Sequence, residues 1–233
     1  AEYAFALILA LSRKIFQSYE RTEKMNFDRQ GLTGFDLKGK TLGVVGTGNI
    51  GLNVVTIGLG FGMKVVAFDV EPLQSKASEL GFTYVESLEE ILQTSDVISL
   101  HVPYLPATHH LINSDNLKLV KDGAILVNTA RGGLVDTKAL LQALKDGSLA
   151  GAGLDVLEEE HDAHDRTDFL SRDSHSNEEL ITLLHNHELV NREDVIITPH
   201  NAYNSQEAIQ RIFDTTVDNI KSWLNNAPIN VVE

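Results

Sequence analysis

The sequence predicts an α/β fold, a doubly wound parallel sheet with helices on both faces. Three observations carry this expectation. Short apolar, β-branched runs alternate with amphipathic segments from Thr41 to about Thr198. These runs are continuously apolar rather than alternating, as strands buried on both faces are. The first run passes directly into Gly46-Thr47-Gly48-Asn49-Ile50-Gly51, and the second ends in an acid, Asp69. With 233 residues, 42% of them hydrophobic, the chain can bury one sizeable core with an appendage.

Taken in order, residues 1–17 are expected as a helix that is apolar nearly all round (Tyr3, Phe5, Leu7, Ile8, Leu9, Leu11, Ile15, Phe16). Such a helix needs a core or a partner subunit to cover it. Residues 18–40 are polar and of mixed charge, carry Gly31, Gly34 and Gly39, and read as an arm leading into the first strand. Thr41–Val45 is that strand, a helix follows the glycine turn to about Phe61, and Lys64–Phe68 is the second strand. Pro72–Leu80 is expected to be helical and Thr83–Val85 a short strand. Ser87, with Glu90 three residues on, has the pattern of a helix start, and the helix runs to about Gln93. Asp96–Leu100 is a strand running into His101-Val102-Pro103. Ser114–Lys121 is expected as a helix, and Ala124–Val127 as a strand running into Asn128-Thr129-Ala130-Arg131-Gly132-Gly133. Asp136–Lys145 is an amphipathic helix with Leu140, Leu141 and Leu144 on one face, and Leu149–Val156 the next strand. Asp194–Thr198 is the last strand, running into Pro199-His200.

Two stretches depart from this rhythm. Residues 161–193 are polar and rich in acids and histidine, with one amphipathic patch at Leu180, Ile181, Leu183 and Leu184, and read as an inserted surface excursion. Its histidines (His161, His164, His175, His185, His187) have no repeating spacing and no thiolate to help them, which favours a solvated loop over a metal site. Residues 205–226 form a strongly patterned helix in which Ile209, Ile212, Phe213, Val217, Ile220, Trp223 and Leu224 recur at three- and four-residue steps. Asn204 with Glu207 is its expected cap, and its stripe must bury against something. The expected organisation is a helix and arm (1–40), a nucleotide-binding domain (41–200) with the insert 161–193, and a C-terminal helix (201–233).

Composition narrows the functional classes. A formal net charge of −14 argues against nucleic acid and anionic membrane surfaces as partners. The absence of cysteine excludes disulfides, thiolate catalysis and cysteine metal sites, and suits a cytoplasmic location. No apolar run reaches the about 18 residues of a membrane helix. The opening segment places its basic residues after the apolar part, the reverse of a signal peptide, and begins without Met, as a processed chain or a fragment would.

The stretch from Thr41 to Asp69 carries the first chemistry. Gly46 permits a tight turn out of the strand, Gly48 lets backbone approach a pyrophosphate, and Gly51 lets the helix pack closely. The helix start offers unpaired N–H groups and the positive end of its dipole. Asp69, 18 residues after Gly51, is placed to accept both ribose hydroxyls of adenosine and to repel a 2′-phosphate, which selects NAD over NADP. This is the Rossmann-like arrangement; the bland alternative is a glycine turn that merely lets a helix pack. Ligands of such sheets bind beyond the carboxyl ends of the strands, where Asp69, His101, Thr129–Arg131, Asp155–Glu160 and His200 stand. Arg131, Glu160 and His200 make a coherent set for hydride transfer. A hydroxy acid needs a base, and histidine ordinarily titrates at about 6.5. A carboxylate orients the imidazole, and a guanidinium clamps the substrate carboxylate. From spacing alone, His200 could equally be a capping or interface residue.

The segments AEYAFALILALSRKI, GKTLGVVGTGNIG, DVISLHVPYLPATHHLIN, GAILVNTARGGLVD, GAGLDVLEEE and VIITPHNAYNS resemble the NAD-binding half of the D-isomer-specific 2-hydroxyacid dehydrogenases, in particular the D-lactate dehydrogenase-like branch. The resemblance implies that Arg131 binds and polarises the substrate, that His200 is the acid/base, and that Glu160 is its carboxylate partner. Glu158 and Glu159 rank below Glu160 as adjacent decoys. Glutamate at position 160, rather than glutamine, argues against the formate dehydrogenase branch. Asn49, Ile50, Asp69, Val102, Pro103, Thr108, Thr129, Ala130 and Asp155 fall at cofactor-contacting positions, and His101, Arg131 and His200 are counted with them. The family's substrate lobe, which would precede the first helix, is not in this sequence. The C-terminal helix would then lack part of its cover, and the chain alone should be a poor catalyst. The family also dimerises through this domain, which implies a homodimer and gives helix 1–17 a partner. The implied substrate is a small 2-hydroxy or 2-oxo acid. A rival class is a non-catalytic NAD-binding sensor module; a methyltransferase using the same glycine turn would leave NTARG and TPH without a role.

Overall fold

The computed structural model describes residues 1–159 and 176–231. They belong to two compact units, Ala1–Pro199 and His200–Glu233. In the first, seven strands make one sheet: β1 (Thr41–Val45), β2 (Lys64–Phe68), β3 (Thr83–Tyr84), β4 (Val97–Leu100), β5 (Ala124–Asn128), β6 (Leu149–Leu154) and β7 (Val195–Ile197). All neighbours are parallel, in the order β3-β2-β1-β4-β5-β6-β7. The chain builds outward from β1 to β3, then restarts on the other side of β1 with β4. The order therefore reverses between β1 and β4, where such sheets open a ligand crevice.

Alternate strand residues feed two cores. Leu42 and Val44 of β1, with Ile125 and Val127 of β5, pack under α1 (Glu2–Ser12) and α3 (Asn49–Gly60). Val45, Ala124 and Leu126 face the other way, towards α5 (Leu88–Thr94), α6 (Thr137–Asp146) and α7 (Asn177–Val190). Each fully buried Leu, Ile or Val contributes roughly 1.5–3 kcal/mol, so these two layers, not helix propensity, hold the sheet. At the amino edge Asp96 accepts the Thr41 N–H at 2.8 Å and pairs with Lys121 at 2.9 Å and Lys40 at 3.5 Å. Burial would raise this carboxyl, but the Thr41 bond and the two lysines outweigh it and hold it below the ordinary range.

Several elements differ from the sequence expectation. The helix expected over 1–17 breaks after Ser12, because the Ser12 carbonyl accepts the Phe35 N–H at 2.9 Å and Lys14 turns left-handed (φ 51°). A separate α2 (Ile15–Glu23) follows. Ala4, Phe5, Leu7 and Ile8 of α1 are buried in the chain's own core, so the apolar surface of α1 is covered without a partner subunit. Ile15, Phe16 and Tyr19 of α2 are exposed. The arm folds back, with Arg21 Nη1 donating to the Gln30 carbonyl at 2.7 Å and Gln17 to the Glu193 carbonyl.

The helix expected over 114–121 is only a single 3₁₀ turn, Leu117–Leu119. Asn113 Oδ1 accepts the Asp115 N–H at 3.0 Å and Asn116 Oδ1 accepts the Asn113 N–H at 2.9 Å, offering the backbone local partners in place of a helical ladder. Within the expected surface insert, residues 177–190 form α7, which packs on α6 and buries Leu189. Ser176 and Glu179 make a reciprocal capping box, at 3.1 and 2.8 Å, that starts it. His185 and His187 lie on this helix; His161, His164 and His175 lie outside the described residues.

The second unit is dominated by α8 (Gln206–Leu224). Its cap is Ser205, whose hydroxyl accepts the Ala208 N–H at 3.1 Å, rather than Asn204, which instead bonds Asn201 at 2.8 Å. Ile212, Phe213, Val217, Ile220, Trp223 and Leu224 are exposed, Trp223 at 69%. Among the described residues, no helix is long and apolar enough to cross a membrane.

Candidate active site

The carboxyl ends of the strands carry the sequence-predicted residues. Gly46 leaves β1 with φ 92°, and a Cβ there would come within 2.8 Å of the His101 carbonyl and of Val102 Cγ1. Both the turn and the packing therefore require glycine. At Gly51 a Cβ would stand 2.0 Å from the Gly46 carbonyl oxygen, so the first turn of α3 rests directly on the loop beneath it. Gly48 is the N-cap of α3, no side chain caps the helix, and a Cβ at Gly48 would meet nothing within 4 Å. The first-turn amides of Asn49, Ile50 and Gly51 have no partner within the helix. Ile50 is exposed beside them.

Asp69 follows β2. Its Oδ2 accepts the Thr47 N–H at 2.6 Å and the Thr47 hydroxyl at 2.9 Å, and its Oδ1 accepts the Glu71 N–H at 3.0 Å. Partial burial opposes ionisation, but the N–H donors of Glu71 and Thr47, the Thr47 hydroxyl and the Val70 N–H outweigh it and lower the carboxyl below its ordinary value. Asp69 is thus a fixed anion.

Beyond β4, His101 bonds the Ser99 hydroxyl at 2.8 Å, and burial pushes its imidazole down to about 3, so it is neutral. Val102 and Pro103 follow. The Thr108 hydroxyl donates to the Pro103 carbonyl at 2.7 Å and accepts the Leu105 N–H at 2.8 Å, which turns this loop back on itself. Beyond β5, Asn128 is 1% exposed and spans the next turn. Its Oδ1 accepts the Ala130 N–H at 3.0 Å and its Nδ2 donates to the Arg131 carbonyl at 2.8 Å. Thr129 and Ala130 are half-buried on that turn and Arg131 is exposed, its Nη1 donating to the Ala130 carbonyl at 2.6 Å.

Beyond β6, Asp155 is fully buried and accepts the Thr198 hydroxyl at 2.5 Å, while its N–H donates to the Asn128 carbonyl at 2.9 Å. Glu158, expected to be a mere neighbour of Glu160, ties three segments together. Its Oε1 bonds His110 Nε2 at 2.5 Å, and its Oε2 accepts the Thr137 hydroxyl at 2.8 Å and N–H at 3.2 Å at the start of α6. Glu160 lies outside the described residues. His200 opens the second unit with φ 51°, a left-handed conformation of the kind that collects at functional positions, and its ring meets Tyr203 edge-on at 6.1 Å.

Asn128, Thr47 and Tyr84 were not singled out by sequence reasoning, and Glu158 was named only as a decoy beside Glu160. Only Asn128 had a readable signal, an amide side chain closing a strand at a turn. A cavity of about 660 Å³ between the arm and Asp194 lies at the amino edge of the sheet. That is the end opposite the crevice.

Residues 5–202 match the family described as D-isomer specific 2-hydroxyacid dehydrogenase, NAD binding domain. The D-lactate dehydrogenase of Escherichia coli K12 is 39% identical over 95% of this chain and 64% of its own length. A 2-hydroxyacid dehydrogenase homolog of Haemophilus influenzae is 40% identical over 94% of this chain and 63% of its own length. The structure of D-lactate dehydrogenase from Aquifex aeolicus complexed with NAD and lactic acid superimposes with a TM-score of 0.87 at 40% identity, covering 97% of this chain and 66% of that one. The chain thus spans a little under two thirds of the length of these relatives. It belongs to the D-isomer-specific 2-hydroxyacid dehydrogenase family and matches that family's NAD-binding domain.

Proposed function

We propose that the chain binds NAD at the crevice between β1 and β4 and serves the interconversion of a D-2-hydroxy acid, lactate-like, and its 2-oxo acid. The observation that carries this reading is the glycine turn. Open space over Gly48, uncapped first-turn amides on α3 and a fixed anion at Asp69 fit a pyrophosphate and an adenosine ribose together. When bound, the nicotinamide supplies or accepts the hydride. Asn49 and Ile50 would sit under the pyrophosphate, and His101, Val102, Pro103, Thr108, Thr129, Ala130 and Asp155 would line the remainder of the cofactor. Arg131 holds the substrate carboxylate and draws electron density from the carbonyl. His200 gives a proton to the carbonyl oxygen during reduction and takes it from the hydroxyl during oxidation. Glu160 favours the protonated imidazole. The acting form is a cytoplasmic homodimer, to which the exposed Ile15, Phe16 and Tyr19 of α2 offer an apolar surface.

Fluorescence titration of the purified chain with NADH and NADPH tests the cofactor half. NADH binding well above NADPH supports it, and binding of neither refutes it. With a relative's substrate-binding lobe joined to the chain, Arg131→Gln should lower pyruvate reduction roughly 100-fold, the scale of losing one preorganised charge contact in a transition state. Activity within a few-fold of the parent would remove Arg131 from its role.

A further inference from the structure

Behind Asp69 runs a chain of hydrogen bonds that joins the ends of three neighbouring strands. The Leu73 N–H, just before α4 (Gln74–Leu80), donates to Tyr84 Oη at 3.2 Å. Tyr84 Oη lies 2.7 Å from Thr47 Oγ1, and Thr47 Oγ1 lies 2.9 Å from Asp69 Oδ2. The directions follow from chemistry. An ionised carboxylate can only accept, so the Thr47 hydroxyl hydrogen points to Asp69. Thr47 oxygen must then take the Tyr84 hydrogen, and Tyr84 oxygen takes the Leu73 N–H. Every donor in the chain is aimed toward Asp69. Phe82, just before β3, meets the Tyr84 ring edge-on at 5.0 Å and steadies it.

We propose that Tyr84 is a positioning residue that fixes the Asp69 carboxylate through Thr47 and so sets the preference for NAD over NADP. The proposal rests on the reading of this crevice as an NAD site. With Oδ2 tied to Thr47, Asp69 cannot swing clear, and a 2′-phosphate would have to face a stationary negative charge. The Thr47 and Glu71 N–H groups hold Asp69 with or without Tyr84. What Tyr84 adds is a donor to the Thr47 oxygen, which strengthens that hydroxyl's bond to Asp69 and stops it rotating away. Without it the carboxylate is held less firmly and presents a weaker acceptor to the ribose and a weaker barrier to the phosphate.

The test is the ratio of NADPH to NADH dissociation constants, read by fluorescence for the parent chain, Tyr84→Phe, Asp69→Ala and the double variant. Tyr84→Phe should lower the ratio roughly three- to ten-fold, the worth of about one neutral hydrogen bond. In the Asp69→Ala background it should change the ratio no further, which a merely structural role for Tyr84 would not produce. Thr47→Val, which removes the hydroxyl and keeps the shape, should reproduce the shift and serves if Tyr84→Phe does not fold. An unchanged ratio in folded Tyr84→Phe, or an equal shift with and without Asp69, overturns the proposal. Failure of the parent chain to bind NADH would instead overturn the NAD reading itself, before any variant is compared.

Discussion

Replacing Asn128 should show how much of the Arg131 turn depends on one side chain. Asn128→Ala removes the acceptor of the Ala130 N–H (3.0 Å) and the donor to the Arg131 carbonyl (2.8 Å) at a position 1% exposed. Leaving a buried polar group without its partner costs about 1–3 kcal/mol. Ala130 is half-buried and meets most of that cost, whereas the Arg131 carbonyl belongs to an exposed residue and can recruit water. The two together come to about 2–3 kcal/mol, or a fall in Tm of roughly 5–10 °C for a chain of this size. The backbone bond from Asp155 to the Asn128 carbonyl is untouched, so β5 and β6 should stay paired. Asn128→Asp retains the acceptor but turns an anionic oxygen on the Arg131 carbonyl, so it should fare no better than alanine. Urea unfolding followed by far-UV circular dichroism reads the change as a shift in midpoint at constant slope. A midpoint shift for Asn128→Ala that, multiplied by the slope, comes to less than about 0.5 kcal/mol would mean that the turn holds its shape without the amide.

Two further perturbations probe the neighbouring loops. Because burial depresses His101 to about 3, the unfolded chain binds a proton that the folded chain refuses between about pH 6.5 and that value, so this group's contribution is full above pH 6.5 and shrinks as the pH falls. Between pH 7 and pH 5 the parent should lose about 1–2 kcal/mol more stability than His101→Gln, measured as the difference in urea midpoints, and equal losses would show that the imidazole is not held neutral. Glu158→Gln exchanges one of two accepting oxygens for a donor between His110 and Thr137, and should cost about 1.5–3 kcal/mol in thermal unfolding. No loss would mean that water or a rotated Thr137 serves equally well.

Much of the fold was legible because it depends on local periodicity. The apolar runs at 41–45, 64–68 and 124–127 became strands, and the glycine turn with its acid at 69 fell where a strand meets a helix. Ser87 caps its helix as read, since a cap needs only the residues next to it. What failed was decided by side-chain bonds and by partners that apolar spacing does not report. Residues 114–121 have helical apolar spacing, yet Asn113 and Asn116 take over the backbone. Residues 1–17 look like one helix until Phe35, far along the chain, claims the Ser12 carbonyl.

The candidate site divides along the same line. The sequence by itself determined which residue types stand at the strand ends, including Asp69, Arg131 and His200, because strand boundaries and motif spacing are local properties. Only the tertiary structure decided how those side chains are held. Tyr84 reaches Asp69 through Thr47, and Glu158 joins His110 to Thr137, because the parallel order β3-β2-β1-β4-β5-β6 brings separate loops to one edge. A hydrogen bond across 37 residues, as between Thr47 and Tyr84, leaves no periodic trace in the chain; it exists only once the sheet has set the distance between its ends.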